Sequence, residues 1–598
     1  KIMQGNSLIS EYGGLRFELD VNKQAADMLA FEDENSKLIK EFEQLKEAYQ
    51  AEAYHAKKKK LQEEIDQLIA QIAENIARKQ KEDYFSRVKA IEDKYAHVPD
   101  SEAKQAAMAA EKEKLAKQSG FDWAAIEAEL KQFGSKRKVR PFFPWQLYFA
   151  EVFTEKGGFD IVIGNPPYLE SRSKAFSEYL KDSYQHASHL RWGEESKFIT
   201  RGADLLIYFI EISIYLIEQK GIVSLITQNS WLDTIYGRKF QQFLIRNSYV
   251  NKVVDSDYRY FPSDEGPNIN TVIVFIGKKP NNVINELSFI RYHVSLGELN
   301  KLVQQNISNN ESLTLQRKFQ YNDQLLLRTK WGFLLSASNL SLQILEKMKK
   351  LYVPIEKIRN SHLSYGQGLN LTKDYLVDKN IIEGLNIKSD ALIPIFTTED
   401  GALFEISHTS KYIINKSKLT QSQKGQLSRN NIQLFDPNST KKIPPILIMP
   451  RGISRHYCAI NQINCYSSSY VDIYDNLGDL NNEIKLNLWL FFNSSVAWLF
   501  RELLGRKNLG GGMLKAEAID LKNFPVYFEY HKSTRIMSIL NNIKLRSVLP
   551  TIEEISTIEH QQIDDIVFDS LGLADIDRVQ IQKELIQIIA TRNSKSST

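Results

Sequence analysis

The tetrapeptide N-P-P-Y, from Asn165 to Tyr168, directly follows the apolar run F-D-I-V-I-G, and its residue types and spacing could do chemistry. Proline fixes φ and donates no hydrogen bond, so Pro166 and Pro167 give a stiff backbone with outward-facing carbonyls. Asn165 adds a side-chain acceptor, and Tyr168 adds a ring that can stack on a planar group. Two acceptors held close together can take both hydrogens of an exocyclic aromatic amine, such as the amino group of adenine.

Such an amine is a poor nucleophile because its lone pair is delocalised into the ring. Acceptors that are already oriented favour a more tetrahedral nitrogen, whose lone pair can accept a methyl group by direct in-line transfer. No covalent enzyme intermediate is needed, and neither Cys458 nor Cys465 lies near this turn in the sequence. A base held in this way has to leave the helix stack. The alternative is a plain structural turn, which chance would produce in roughly one chain of this size in several hundred.

The elements that must position this turn form an α/β pattern. Strands are predicted at residues 160–163, 222–227, 250–254 and 271–276, and helices at residues 204–219 and 238–247. Apolar strands that alternate with amphipathic helices predict a doubly wound sheet. Ligands of such sheets bind beyond the carboxyl ends of strands, which is where N-P-P-Y falls.

Composition divides the rest of the chain, and 598 residues are more than one core usually serves, so several domains are expected. Residues 36–135 are rich in Ala, Glu, Lys and Gln and predict long helices with a break near residues 97–100. The lysine run at residues 57–60 is interpreted as a solvated face rather than a DNA patch. Residues 291–335 are interpreted as a connector, residues 336–530 as a second, α+β domain, and residues 531–598 as a helical end.

The bulk composition excludes several classes of protein. Hydrophobic residues make up 42% and charged residues 25%, as in ordinary globular proteins, and no apolar run has the length of a membrane span. Two cysteines are too few for a disulfide framework or a zinc cluster, so no metal site is expected and a cytoplasmic location fits best. The net charge of +4 permits a nucleic-acid partner only if positive charge is concentrated on one face.

The run F-D-I-V-I-G-N-P-P-Y resembles motif IV of the amino-methyltransferases that use S-adenosylmethionine, and the form with Asn first is typical of N6-adenine DNA methyltransferases. The segment K-R-K-V-R-P-F-F-P-W-Q-L-Y-F-A-E-V-F resembles the stretch before that motif in type IIG restriction–modification enzymes, and residues 203–211, 221–232 and 260–275 resemble later motifs of the TaqI-like class. The resemblance implies a Rossmann-like methyltransferase sheet, S-adenosylmethionine as cofactor and double-stranded DNA as partner. It also implies that Tyr168 and Phe261 hold a flipped adenine between them.

The opening G-N-S-L resembles motif III of the family, which implies that Asn6 accepts a hydrogen bond from the cofactor's adenine, with Asn165 also beside the cofactor. An ordinary Asn-Ser turn is an equal alternative. The glycine-rich motif I, which precedes motif III in the family, is not found, and the chain begins at Lys1. We therefore expect the sheet to be incomplete at its N-terminus, a nuclease domain to be possible upstream, and this fragment alone to bind cofactor weakly or not at all.

Residues 336–530 resemble the target-recognition domain of the TaqI class at residues 365–377, 444–455 and 486–500. Glycines in this region let backbone approach phosphate, and arginine contacts phosphates or guanine edges. The glycine run at residues 510–512 fits such an approach to phosphate, but a flexible loop without contacts explains it almost as well. A single long recognition domain implies, by analogy with the family, a monomer. The predicted DNA-binding residues are Arg451, Arg455, Arg506, Lys507 and Lys515.

Two other functions stay open at this point. Protein glutamine methyltransferases share the N-P-P-Y turn and also methylate a planar amide, but they lack a large recognition domain. A DNA-specificity module with a non-catalytic methylase core would explain the missing motif I.

Overall fold

The structure is a computed structural model that describes residues 6–12, 15–16, 34–119, 142–169, 178–200, 202–261, 269–279, 286–295, 297–298, 300–301, 314–351, 355–360, 362–506, 514–521 and 524–597. Lys507 and the glycine run at residues 510–512 lie outside these ranges. No helix in them is long and apolar enough to cross a membrane.

A short antiparallel strand pair and a long helical insertion come first in the chain. The strands are β1 (Glu11–Tyr12) and β2 (Leu15–Arg16), and the helices are α1 (Glu34–Ala51), α2 (His55–Ala96) and α3 (Glu102–Ser119). Helix α1 packs on α2 through a small core that contains Phe42 and Ile72. The ion pair Lys94–Glu111, with N–O 2.6 Å, joins α2 to α3. The long helices and the break between α2 and α3 agree with the prediction from composition.

A six-stranded mixed sheet forms the centre of the first half of the molecule. Its strands are β3 (Phe159–Gly164), β4 (Ile217–Gln228), β5 (Ser248–Ser256), β6 (Thr271–Lys278), β7 (Glu286–Tyr292) and β8 (Thr314–Gln320). Their spatial order is β3-β4-β6-β5-β7-β8. Strands β3 and β4 are parallel, as are β5 and β7, while β6 is antiparallel to β4 and β5. The four strands predicted between residues 160 and 276 are confirmed, and the fold is a mixed α/β arrangement.

The segment interpreted as a connector, residues 291–335, instead helps to complete the sheet. Strands β7 and β8 pair antiparallel over their full lengths. Leu287, Phe289 and Phe319 are buried, and in β8 the neighbours of Phe319, Lys318 and Gln320, are exposed. This alternation is a strand signal, and the surrounding asparagine-rich sequence masked it.

Five helices accompany the first strands of the sheet. They are α4 (Trp145–Tyr148), α5 (Ala150–Lys156), α6 (Glu178–Trp192), α7 (Leu205–Leu216) and α8 (Ile235–Asn247). Helix α7 ends three residues earlier than predicted because Ile217 pairs with Phe159 and starts strand β4. Thr234 precedes helix α8, and its hydroxyl accepts a hydrogen bond from the Gly237 backbone N–H at 3.3 Å. This is an N-cap, which supplies an acceptor for a helix-end donor.

The second half contains a five-stranded sheet of order β11-β15-β13-β17-β9, a three-stranded sheet of order β12-β10-β16 and the pair β14-β18. The strands are β9 (Leu363–Gln367), β10 (Leu392–Phe396), β11 (Glu405–Ile406), β12 (Lys411–Ile414), β13 (Leu447–Pro450), β14 (Gly452–Ile453), β15 (Ala459–Asn461), β16 (Tyr466–Ser467), β17 (Tyr470–Asp475) and β18 (Leu514–Lys515). Short strands mixed with helices give the α+β character expected from the sequence.

The remaining helices are α9 (Gln324–Arg328), α10 (Trp331–Ser336), α11 (Asn339–Leu351), α12 (Lys379–Gly384), α13 (Gln421–Arg429), α14 (Asn482–Phe492), α15 (Ser495–Leu504), α16 (Ala518–Leu521), α17 (Ser533–Ile543), α18 (Thr551–Glu554), α19 (Ile558–Ser570) and α20 (Asp575–Ser597). One hydrophobic core runs from Leu8 to Ile589 and links the central sheet to these helices. Ser495 donates to Asp564 at 2.6 Å and lies 2.9 Å from His560. All three are at most 1% exposed, so this Ser-His-Asp group is a structural link and not a catalytic triad.

Candidate active site at the end of strand β3

The N-P-P-Y turn begins directly after β3, beyond the carboxyl end of the strand. Among the described residues β3 lies at the edge of the sheet, and the side chain of Ile163 is 81% exposed there. Asn165 and Pro167 are exposed, Pro166 is buried and Tyr168 is half-buried. The turn therefore presents its amide side chain outward on a backbone that the buried proline fixes.

Tyr168 and Asn165 are joined by a hydrogen bond within the turn. The Tyr168 hydroxyl donates to Asn165 Oδ1 at 2.6 Å. Burial raises the pKa of Tyr168 to about 12, so the phenol keeps its proton and remains a donor near neutral pH. This bond fixes the direction of the amide oxygen, and the second lone pair of that oxygen stays open to a ligand.

The far end of the turn is tied to helix α7. The Leu205 backbone N–H donates to the Leu169 carbonyl at 3.1 Å. The residue before Leu205, Asp204, accepts from Ser230 at 3.3 Å and from the Tyr236 hydroxyl. Burial, with Asp204 adding to it, raises the pKa of Tyr236 well above its ordinary value. A buried network thus connects the turn to the residues that follow strand β4.

Phe261 lies at the same end of the sheet as the turn, in the loop that follows the carboxyl end of β5. Arg291 Nε donates to Asp257 Oδ1 at 2.6 Å, and His293 Nδ1 lies 2.7 Å from Asp257 Oδ2, which fixes the start of this loop. Burial raises the pKa of Asp257, but Arg291 and His293 outweigh burial and hold that pKa below its ordinary value.

Tyr168 and Phe261 extend from strands that are three positions apart in the sheet, about 14 Å at the usual strand spacing. Their rings do not contact each other. To stack on one base, the two rings would have to reach opposite faces of it from the loops that follow β3 and β5.

The model of the Eco57I restriction-modification methylase family matches residues 16–261, which include the turn, helix α7 and the Phe261 loop. Residues 16–261 form an Eco57I-type restriction-modification methylase domain. The restriction–modification class predicted from the N-P-P-Y motif is confirmed.

The relatives of this methylase domain are distant in sequence. The type II methyltransferase M.BstVI of Geobacillus stearothermophilus is 22% identical over 272 residues, which are 45% of this chain and 46% of that protein. The chain therefore spans about half the length of this relative. The type IIG restriction endonuclease BpuSI is 13% identical, with 73% of this chain and 55% of that chain covered at a TM-score of 0.33. The type IIL enzyme MmeI, solved with DNA, is 12% identical, with coverage of 72% and 57% and a TM-score of 0.44.

Asn6 of the segment before the methylase domain takes part in a local turn. Its Oδ1 accepts from the Leu8 backbone N–H at 3.1 Å, and its Nδ2 donates to the Tyr184 hydroxyl at 3.1 Å. The Trp145 indole N–H donates to the Ser7 carbonyl at 2.9 Å, which fixes the same segment on helix α4. Asn6 Oδ1 keeps one lone pair, so both the turn and the cofactor interpretation remain compatible with this geometry.

Four of the five cations predicted to bind DNA in the second half are engaged within the molecule, and the fifth, Lys507, lies outside the described residues. Arg451 forms two hydrogen bonds to Glu517, at 2.9 and 2.8 Å, and Lys515 pairs with the same carboxylate at 2.8 Å. Burial raises the pKa of Glu517, but Arg451 and Lys515 outweigh burial and lower it. Arg506 pairs with Asp520 at 3.1 Å.

Arg455, the last of the four described cations, donates to the Val548 carbonyl at 2.7 Å. Sequence reasoning overlooked Glu517 and Asp520, although both acids follow Lys515 within five residues. Basic residues close to acids in the sequence often form ion pairs in the fold, and this proximity could have predicted the pairing. Within the described ranges there is also no group of three His, Cys, Asp or Glu side chains that could hold a metal ion.

Proposed function

We propose that this chain methylates N6 of an adenine that is flipped out of duplex DNA, with S-adenosylmethionine as the methyl donor. The observation that carries the proposal is the outward-facing Asn165 amide, held by Tyr168 at 2.6 Å, on the proline turn at the strand end. Membership of residues 16–261 in a restriction-modification methylase family supports methyl transfer to DNA. The preference for N6 of adenine rests on the asparagine-first turn.

In the proposed reaction Asn165 Oδ1 and a carbonyl of the proline pair accept both hydrogens of the adenine amino group. The nitrogen lone pair then becomes available in the transition state, because its acceptors are oriented in advance. The Tyr168 ring stacks on one face of the flipped base, with Phe261 as the candidate for the other face. Methyl transfer would form the N6–carbon bond as the sulfur–carbon bond of the donor breaks, S-adenosylhomocysteine would leave, and N6 would lose one proton to solvent.

S-adenosylmethionine would supply an electrophilic methyl group, and two acceptors of this chain fit its binding. Asn6 Oδ1 keeps a lone pair for an amino group, and Asn165 is exposed at the strand end where the transferred methyl has to arrive. A glycine-rich cradle for the methionine end has no counterpart in this sequence. We assign residues 16–261 to catalysis and residues 336–530 to contact with the DNA target.

The test is to incubate the protein with mixed-sequence duplex DNA and labelled S-adenosylmethionine, and to digest the DNA to nucleosides. We expect label in N6-methyladenine, which Asn165→Ala abolishes and which Asn541→Ala, a change at an exposed asparagine of helix α17 outside the residues assigned to catalysis or DNA contact, leaves intact. Label in N4-methylcytosine or in protein glutamine would refute the adenine assignment. Sequence-specific DNA binding without label would favour a non-catalytic specificity module.

A further inference from the structure

Positive charge is concentrated in one stretch of the second half, residues 411–442, which we call the basic segment. It contains seven basic residues and a single acidic one, Asp436. The preceding stretch, residues 369–410, contains three basic and seven acidic residues. The small net charge of the whole chain hides this contrast, and concentrated positive charge is the electrostatic signature of a polyanion site.

Among the described residues, most cations of the basic segment form no ion pair. Lys411 pairs with Glu399 at 3.2 Å, and Lys442 donates to the carbonyls of Gln367 and Gly368. In the part of the chain that the structure describes, the other five form no ion pair: Lys416, Lys418, Lys424, Arg429 and Lys441. Four of them are exposed and Lys424 is half-buried, so their charge is available to a ligand.

An ordered scaffold presents these cations. Strand β12 pairs with β10, and the Asn415 side chain accepts from the Ser417 backbone N–H at 3.0 Å. Helix α13 then begins with a capping box, in which Thr420 and Gln423 bond reciprocally to each other's backbone. Leu427 of this helix is buried in a small local core. The charged side chains therefore need little ordering of the backbone when they bind.

The outward-facing residues of helix α13 are Gln421, Ser422, Gln426, Ser428 and Arg429. None of them is acidic, so none repels phosphate, and amide side chains can also bond to base edges. Among the described residues no large hydrophobic side chain of the basic segment is strongly exposed, in contrast to a surface that inserts into lipid. This composition fits the backbone of a nucleic acid better than a membrane.

We propose that the basic segment is the surface on which the second half of the molecule holds the phosphates of duplex DNA. The inference rests on the proposed function for the identity of the polyanion. The basic segment would supply the phosphate contacts that Arg451, Arg506 and Lys515 cannot make while Glu517 and Asp520 neutralise them. Phosphate contacts fix the register of a protein on DNA, so this surface sets which bases the second half can reach.

The experiment compares two variants with the same change in charge. One replaces Lys416, Lys418, Lys424 and Arg429 with glutamine, and the control replaces the four lysines of residues 57–60 on helix α2 with glutamine. Binding of a mixed-sequence duplex is measured by fluorescence anisotropy over a range of salt concentrations, and circular dichroism checks that each variant is folded.

Each phosphate contact contributes about 0.9 to the slope of log K against log salt, or about eightfold in affinity near ~0.1 M salt. If two of the four cations contact phosphate, the first variant should bind about sixtyfold more weakly and lose about 2 units of slope. The control should change less than about threefold.

Equal losses in the two variants would overturn the inference, because charge anywhere on the surface would then suffice. Failure of the unmodified chain to bind duplex DNA would overturn it as well. Failure of the proposed methyl transfer looks different: DNA binding and its loss in the first variant would persist while no N6-methyladenine forms.

Discussion

Removal of the Glu211 carboxylate should destabilise the methylase domain by several kcal/mol. Arg191 on α6 donates to both oxygens of Glu211 on α7, at 2.7 and 2.8 Å, and the two side chains are 1% and 0% exposed. Trp192 donates to the same carboxylate. In Glu211→Ala the Arg191 charge would stay buried without its counter-ion, and breaking a buried pair in this way costs about 3–5 kcal/mol.

The loss should be visible as faster amide hydrogen exchange in helix α7, because local opening free energy governs exchange. A cost of about 3–5 kcal/mol corresponds to roughly two to three and a half powers of ten in the exchange rate of residues 205–216. Glu211→Gln keeps one acceptor and should have an intermediate effect. Peptides from strands β13 and β17 in the second half serve as an internal reference.

A matched control removes an exposed carboxylate. Asp83 pairs with Arg87 at 2.9 Å on α2, where the side chains are 60% and 65% exposed. Such a surface pair contributes about 0.2–1 kcal/mol, so Asp83→Ala should change exchange less than about fivefold. If Glu211→Ala changed exchange in α7 no more than Asp83→Ala does, the argument from burial would be wrong.

Three further predictions follow from buried groups and from the turn. Burial lowers the pKa of His456 to about 4, although Glu502 opposes the shift. The unfolded chain therefore takes up the histidine proton at a higher pH than the folded chain. The free energy of unfolding should fall as pH drops from about 6.5 to about 4. The melting temperature of His456→Gln should lack this part of the pH dependence. Cys458 and Cys465 are buried, and burial raises the pKa of Cys465 to about 12. Iodoacetamide should therefore modify neither thiol before unfolding and both thiols after it. Rapid labelling of the native protein would contradict this. Tyr168→Phe keeps the ring and removes a hydrogen bond with a net value of about 0.5–1.5 kcal/mol, so kcat/KM for DNA methylation should fall less than about tenfold. Tyr168→Ala should cost about 1–3 kcal/mol of stacking, and equal losses in the two variants would exclude stacking as the role of this residue.

Local patterns in the sequence were sufficient to predict the elements around the turn. Alternating or continuous apolar residues placed four strands of the central sheet within a few residues of their observed bounds. Strands β7 and β8 were not foreseen because they lie within a polar, asparagine-rich stretch. Pairing with a neighbouring strand decides such cases, and pairing is not a local property.

The proposed catalytic turn and the proposed DNA-contact residues differ in how far they could be predicted from the sequence. Asn165 to Tyr168 are consecutive residues on a stiff backbone, so their mutual geometry can be predicted from the local sequence. The predicted DNA contacts depended on which charges remain unpaired. Glu517 and Asp520 decide that by folding against Arg451 and Arg506.

By itself the sequence determined the proposed class of chemistry and the strand proposed to carry it, because both depend on residues adjacent in the chain. Only the tertiary structure decided which cations are available, since the Coulomb energy of a pair depends on distance in space and on burial. It also decided that Tyr168 and Phe261 extend from strands three positions apart, because strand order is set by packing of the whole sheet. The basic segment became a candidate surface for the same reason: its cations are close in sequence, but only the fold shows that five of the seven form no ion pair among the described residues.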